Sequence, residues 1–184
     1  MEGTQIRGPF AAGEGAVVKM GAKIYGATTL GPFSVAGGEI KNSMLFGFSN
    51  KAHDGYLGDS VIGEWCNLGA GTSNSNVKNT GGQVTYYQYS NAPGKQAGSK
   101  AGLLMGDYSR CAINTAFNTG TVVGVCCNIF GERPARFVPD FSWGTDRYIF
   151  EKVLQDIANW KKMKGRDVLP AEIEMLKQLY SNTP

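Results

Sequence analysis

The sequence predicts an all-β solenoid, a parallel β-helix of hexapeptide repeats with an ejected loop and a C-terminal helical extension. Three observations carry that expectation. Apolar or small residues stand six apart in two separate runs: Ile6, Ala12, Val18, Ile24, Leu30 and Ala36, then Met105, Cys111, Phe117, Val123 and Ile129. Glycine is frequent, at 26 of 184 residues, while only 18% are charged, which suits a turn-dense β architecture better than a helical bundle. Helical periodicity is confined to the last stretch of the chain, after Ile129.

A period of six belongs neither to a helix, near 3.6, nor to an ordinary strand, near 2. It fits one short strand plus one turn, with one inward side chain per hexad. Three hexads make a triangular coil, and stacked coils make three flat parallel sheets. Between the two runs the rhythm continues with slips through Ile40, Leu45, Lys51, Leu57, Ile62 and Leu68. Gly8, Gly26, Gly31, Gly58, Gly63, Gly69 and Gly71 are expected at corners, where a side chain would clash or a positive φ is needed.

Residues 77–101 break the hexads and read as an arm inserted in a β-helix spanning 1–134. Val77-Lys-Asn-Thr-Gly-Gly is turn chemistry, Val84-Thr-Tyr-Tyr-Gln-Tyr-Ser reads as a strand, and a loop follows. A long loop ejected from a solenoid is usually functional, so the arm is expected to pack across a neighbouring subunit or a cleft. Tyr86, Tyr87 and Tyr89 would make it a carbohydrate-binding surface in a weaker reading. Residues 135–184 read as an extended segment and a two-helix cap. Thr145 stands where it would cap the first helix, and Ile149, Phe150, Val153, Leu154, Ile157 and Trp160 form its apolar stripe. Lys161, Lys162 and Lys164 suit its C-terminal end. The second helix is expected to begin near Pro170, with Ile173, Leu176, Leu179 and Tyr180 on one side. These faces would cover the open end or one face of the β-helix. No cap precedes Ile6, which suggests a fragment whose upstream partner domain is absent.

A net charge of +3 without a Lys/Arg run argues against nucleic acid as a partner. No apolar stretch approaches the length of a membrane span, so no membrane partner is expected. The N-terminus does not read as a signal peptide, which predicts a cytoplasmic protein whose Cys66, Cys111, Cys126 and Cys127 are buried reduced thiols. Cys126 and Cys127 are adjacent and should point to opposite faces of a strand. One histidine and no Cys-x-x-Cys pair make a structural metal unexpected.

That histidine, His53, is the natural candidate for a general base, the group that acyl transfer to an amine or hydroxyl requires. At a coil corner beside Gly55 and Gly58 it would project where two subunits form a cleft, or serve a structural role.

Residues 18–76 read His53-Asp-Gly-Tyr56-Leu-Gly58-Asp59, Ile62-Gly63, Asn67-Leu-Gly69-Ala70-Gly71-Thr72, then Asn76. This resembles, at ungapped spacing, the C-terminal acetyltransferase domain of the bacterial bifunctional N-acetylglucosamine-1-phosphate uridylyltransferase/glucosamine-1-phosphate acetyltransferase family. The resemblance implies a left-handed β-helix, a homotrimer, acetyl-CoA as co-substrate and an amino-sugar 1-phosphate as acceptor. It also implies roles residue by residue. His53 falls on the catalytic base and Asn76 on an Asn that orients the catalytic amine. Tyr56 and Asn67 fall on acceptor-binding positions, Lys41 on a lysine that contacts the sugar phosphate, and Ala70 on a backbone contact to acetyl-CoA. For the upstream phosphate-binding arginine, Lys19 fits the spacing and Arg7 fits the chemistry.

Asn50-Lys51-Ala52-His53-Asp54-Gly55, Ile62-Gly-Glu-Trp-Cys-Asn-Leu-Gly-Ala70 and Phe141-Ser-Trp-Gly144 carry a further resemblance, over nearly the whole chain. It is to a Bacteroidetes-type family of sugar-nucleotidyltransferase-like proteins. There an N-terminal nucleotidyltransferase domain comes first. Its glycine-rich loop is missing here, so the alternative role is a non-catalytic trimerisation or regulatory domain of such a partner. The chain departs from the acetyltransferase pattern at Val77-Lys78-Asn79, where the arm starts, and at Asp54-Gly55, which places Asp54 to tune His53.

Overall fold

The computed structural model of the protein describes residues 2–87, 93–131 and 133–183; it is a parallel β-solenoid of about seven turns followed by two short helices. The first sheet stacks Gln5–Arg7, Lys23–Tyr25, Glu39–Lys41 and Tyr56–Gly58. The second runs from Phe10–Ala12 through Thr28–Leu30, Met44–Leu45, Val61–Ile62, Leu104–Met105 and Val122–Val123 to Phe137–Val138. The third runs from Val17–Val18 through Val35–Ala36, Asn50–Lys51, Asn67–Leu68, Arg110–Cys111 and Asn128–Ile129 to Ser142–Trp143.

The register places the hexad residues directly on one another. Ile6, Ile24, Ile40 and Leu57 form one inward column. Ala12, Leu30, Leu45, Ile62, Met105, Val123 and Val138 form the second. Val18, Ala36 and Lys51 begin the third, and Leu68, Cys111 and Ile129 continue it. From Ile24 onward these positions are buried, and each fully buried Ile or Leu contributes roughly 1.5–3 kcal/mol. Ile6, covered on one side only, is 44% exposed. The four cysteines are free and buried; Cys127 lies in the solenoid core and Cys126 faces the helices.

At the corner between the second and third sheets the left-handed position is aromatic in five coils, where Phe33, Phe48, Trp65, Tyr108 and Phe141 have φ of 56–60°, while Gly15 and Cys126 hold it in two others. Each such aromatic residue carries strain of order 1–3 kcal/mol. Burial and stacking offset it, with Phe48 parallel to Trp65 at 4.2 Å and Phe33 against Phe48 at 5.2 Å. This aromatic corner, rather than the open end of the coil, is what the helices cover. α1 (Phe150–Met163) and α2 (Pro170–Asn182) bury Val153, Ile157 and Leu176 against Trp65, Tyr108, Cys126 and Phe141.

Charged groups fasten the helices. Lys161 pairs with Glu172 at 2.5 Å, and Tyr108 donates to the same carboxylate. Lys164 donates to the Phe33 and Phe48 carbonyls at 3.2 and 2.9 Å. Two of the three lysines expected to serve the helix C-terminus, Lys161 and Lys164, therefore also dock it. Thr145 caps nothing: it lies in the turn of a hairpin between Ser142–Trp143 and Asp146–Arg147, and Ile149 precedes α1 without a side-chain cap. The stretch read as an extended segment adds a further turn to the solenoid, since Phe137 and Val138 pair with Val122 and Val123.

The arm contains a small antiparallel hairpin, Thr85–Tyr86 with Lys95–Gln96. Its base packs on its own coil. Val84 is fully buried, Tyr86 donates to the Gly102 carbonyl at 3.3 Å, and Arg136 donates to the Thr85 carbonyl at 3.0 Å. Tyr89 lies outside the described residues. Among the described residues no helix is long and apolar enough to cross a membrane.

Candidate functional site

The chain leaves the third sheet at Lys51 and enters the first at Tyr56, and His53 stands on the corner between them. Local sequence forces this turn to be tight. Gly55 has φ +119°, and a Cβ there would lie 2.1 Å from the Thr72 carbonyl oxygen. Gly37 leaves room for the Ala52 carbonyl, which a Cβ would approach to 2.3 Å. The turn is thus held between the coil below and the coil above.

His53 is exposed and lines a groove of about 470 Å³ with Lys19, Asn50, Asn67, Ala70 and Ile113. The lining carries two basic side chains and no carboxylate. Asn50 links the groove to the helices: it accepts from Lys164 at 3.0 Å and donates to Asn67 at 3.4 Å. The groove is open to solvent, and Lys19 is the one lysine or arginine in its lining. Among the described residues no group of three or more His, Cys, Asp or Glu side chains is placed to hold a metal ion.

The other candidate residues lie around the corner, on the outer face of the first sheet. Asn76 donates to the Tyr56 hydroxyl at 3.1 Å and to Asp59 at 2.5 Å, and Asn42 donates to the other Asp59 oxygen at 3.1 Å. Burial, with help from Asp59, pushes the Tyr56 hydroxyl pKa up. Arg7, Tyr25 and Lys41 form one outward row. The Tyr25 hydroxyl donates to Glu39 at 2.6 Å, which together with burial raises its pKa to about 12. Within one chain, then, the structure brings together His53, Lys19, Asn67 and Ala70. It sets Tyr56, Asn76, Lys41 and Arg7 on a separate face.

Two features to which the sequence reading assigned no role at the site hold this region, the Asn74–Ser73 pair and a lysine of the third column. Asn74 occupies the next inward hexad position after Leu68 and is buried; it accepts from Gly58 N at 2.8 Å and donates to Gly58 O at 3.0 Å. Ser73 accepts from Tyr56 N at 3.1 Å. Side chains thus replace the strand ladder above Tyr56 and Gly58, opening the first sheet at the candidate site. The signal was available, because a polar residue at an inward hexad position calls for a partner.

The second is Lys51, fully buried in the third column. Its Nζ donates to the His53 carbonyl at 2.5 Å and to the Asp54 carbonyl at 3.2 Å. Burial lowers its pKa to about 8. Folding therefore favours loss of this proton, so the unfolded chain holds more protons at higher pH. Between about pH 8 and about 10.4, the ordinary lysine value, this group raises stability as pH rises. Urea midpoints measured across that window should climb in the native protein relative to Lys51→Met, which lacks the titrating amine; equal slopes would refute the assignment.

No protein-family model matches the chain. Curated relatives do. The bifunctional protein GlmU of Methanocaldococcus jannaschii is 34% identical over 91 residues, which are 48% of this chain and 21% of the relative. A bifunctional sugar-1-phosphate nucleotidylyltransferase/acetyltransferase of Sulfurisphaera tokodaii is 34% identical over 95 residues, 50% of this chain and 23% of the relative. The bifunctional protein GlmU of Methanococcus maripaludis is 34% identical over 88 residues, 47% and 20% of the two. The match spans about a fifth of the length of these curated relatives. Over about half of its length this chain is therefore a homologue of the GlmU-like bifunctional sugar-1-phosphate nucleotidylyltransferase/acetyltransferases.

Proposed function

We propose that the chain is an acyltransferase domain that moves an acetyl group from acetyl-CoA to the amine of an amino-sugar 1-phosphate. The observation that carries this reading is the groove in which the sole histidine meets Lys19, Asn67 and Ala70 without an opposing carboxylate. Its cationic lining suits the phosphates of CoA, and relatives that carry acetyltransferase in their name point to the same chemistry. In the reaction His53 takes a proton from the acceptor amine as its nitrogen attacks the thioester carbonyl. The tetrahedral adduct then collapses, the C–S bond breaks, and CoA leaves as the thiolate, which takes up a proton.

Lys41 and either Lys19 or Arg7 would hold the acceptor phosphate, with Tyr56 and Asn67 binding the sugar and Asn76 orienting its amine. Those residues lie on two faces that meet at the His53 corner. A homotrimer in which the first-sheet face of one subunit borders the His53 groove of the next would complete the site. The same separation favours a second reading, a β-helix that trimerises a nucleotidyltransferase partner and is itself inert. Incubation with acetyl-CoA and glucosamine 1-phosphate, following free CoA thiol, separates the two. Sustained thiol release is expected; a trimer that neither releases thiol nor binds CoA by calorimetry would establish the inert role.

A further inference from the structure

An inward hexad position in the middle of the coil normally carries an aliphatic side chain, as Ala36 and Leu68 do on either side of Lys51. Lys51 is among the largest of the fully buried side chains, and the groups it bonds are carbonyls rather than a carboxylate, with Asp54 acting on it only as a nearby charge. A buried charge of this kind is destabilising relative to a well-packed apolar side chain of similar size. Packing therefore does not explain it. What it does contact are two carbonyls of the His53 turn. The Asp54 carbonyl has another donor, Gly71 N at 3.0 Å. The His53 carbonyl points into the core, and Lys51 is the donor that meets it.

We propose that Lys51 is a positioning residue for His53: from inside the coil, its amine fixes the His53–Asp54 peptide plane and thereby the direction in which the imidazole projects. The bond is charge-assisted and anchored in the buried core of the coil. The peptide plane sets the Cα–Cβ vectors of the residues it joins, so one interior contact defines where the base stands in the groove. Gly37 and Gly55 make the turn narrow enough for a side chain in the core to reach through it. Without the amine, the His53 carbonyl would be left buried and unpaired, which the turn relieves by rotating that peptide toward water. The consequence for catalysis rests on the acyltransferase reading above; the consequence for the turn does not.

The test uses the full-length chain as wild type, Lys51→Met and Lys51→Gln. Because His53 is the only histidine, the protein gives one imidazole signal in a carbon–proton correlation spectrum. Wild type is expected to show one narrow signal. Lys51→Met should keep the same circular dichroism and a thermal midpoint at or above wild type, with the imidazole signal displaced and broadened. Its kcat for thiol release should fall by ~10- to 100-fold, as misplacement of a base on the scale of an ångström does, while KM for acetyl-CoA changes much less. Lys51→Gln, which keeps an N–H donor without the charge, should recover part of both. A folded Lys51→Met protein with an unaltered imidazole signal overturns the proposal, as does unaltered kcat. Unfolding of both variants overturns it too, since Lys51 would then be a fold determinant. A wild-type protein without acetyl transfer sinks the functional reading alone, and the imidazole spectrum still decides whether Lys51 sets the turn.

Discussion

His53→Ala is expected to lower kcat for acetyl transfer to glucosamine 1-phosphate by about 10²- to 10⁴-fold, the range for loss of a general base. The side chain is exposed and lines the groove, so the fold should be unaffected and the thermal midpoint should stay at the wild-type value. KM for acetyl-CoA should change little, because Ala70 and the rest of the groove lining remain in place. Stopped assays of CoA thiol at saturating substrates, with calorimetry of CoA binding, make the comparison. Retained kcat in a variant that still binds CoA would remove His53 from the mechanism. Simultaneous loss of kcat and of CoA binding would make it a groove-lining group rather than a base.

Gly55→Ala should have the largest effect on stability of any single methyl addition at the site. Its φ of +119° is a conformation that alanine rarely adopts, and the new Cβ would sit 2.1 Å from the Thr72 oxygen and 2.9 Å from the Thr72 carbonyl carbon. Both atoms are backbone, so relief requires two coils to separate. Strain of this kind costs on the order of 3 kcal/mol, before any loss of the neighbouring contacts. Because Gly55 ends the turn that carries His53, activity should fall in the fraction that stays folded. Gly82→Ala is the matched control: its φ is ordinary and the nearest atom is Thr80 Oγ1 at 3.5 Å, so a change within about 0.5 kcal/mol is expected. Urea denaturation of the pair measures the difference. Equal stabilities would mean that the turn has room for a side chain at Gly55.

The inward columns were legible to single residues, including the slips through Ile40, Leu45 and Leu57, because one side chain per hexad must face the axis whatever its identity. The same logic put Lys51 in a column. Periodicity counts positions and not charges, so the need for its amine in the core emerged only once the His53 carbonyl was seen to point at it. The glycine corners were half legible. Gly26 and Gly71 take positive φ, whereas at the neighbouring corner Phe33, Phe48 and Trp65 adopt it, since stacking there compensates for strain.

The candidate site divides in the same way. A motif spaced along the chain states which residue types recur; it does not state which face each one meets. Asn67 and Asn76 are nine residues apart, yet one lines the His53 groove and the other bonds Tyr56 and Asp59 across the corner. Residues less than one coil apart occupy different sheets, and the sheet each occupies depends on where the slips fall.

From sequence alone, the hexad period, the break at the arm and the two helical stripes determined a parallel solenoid with a helical extension, because these are local patterns that repeat or stop within a few residues. Tertiary structure alone decided that the helices cover an aromatic corner, that the site residues lie on two faces, and that Lys51 reaches His53 through the core. The first two depend on contacts between residues distant in the chain or on different faces; the third, between residues two apart, depends on the corner turning the His53 carbonyl inward, which no hexad pattern encodes.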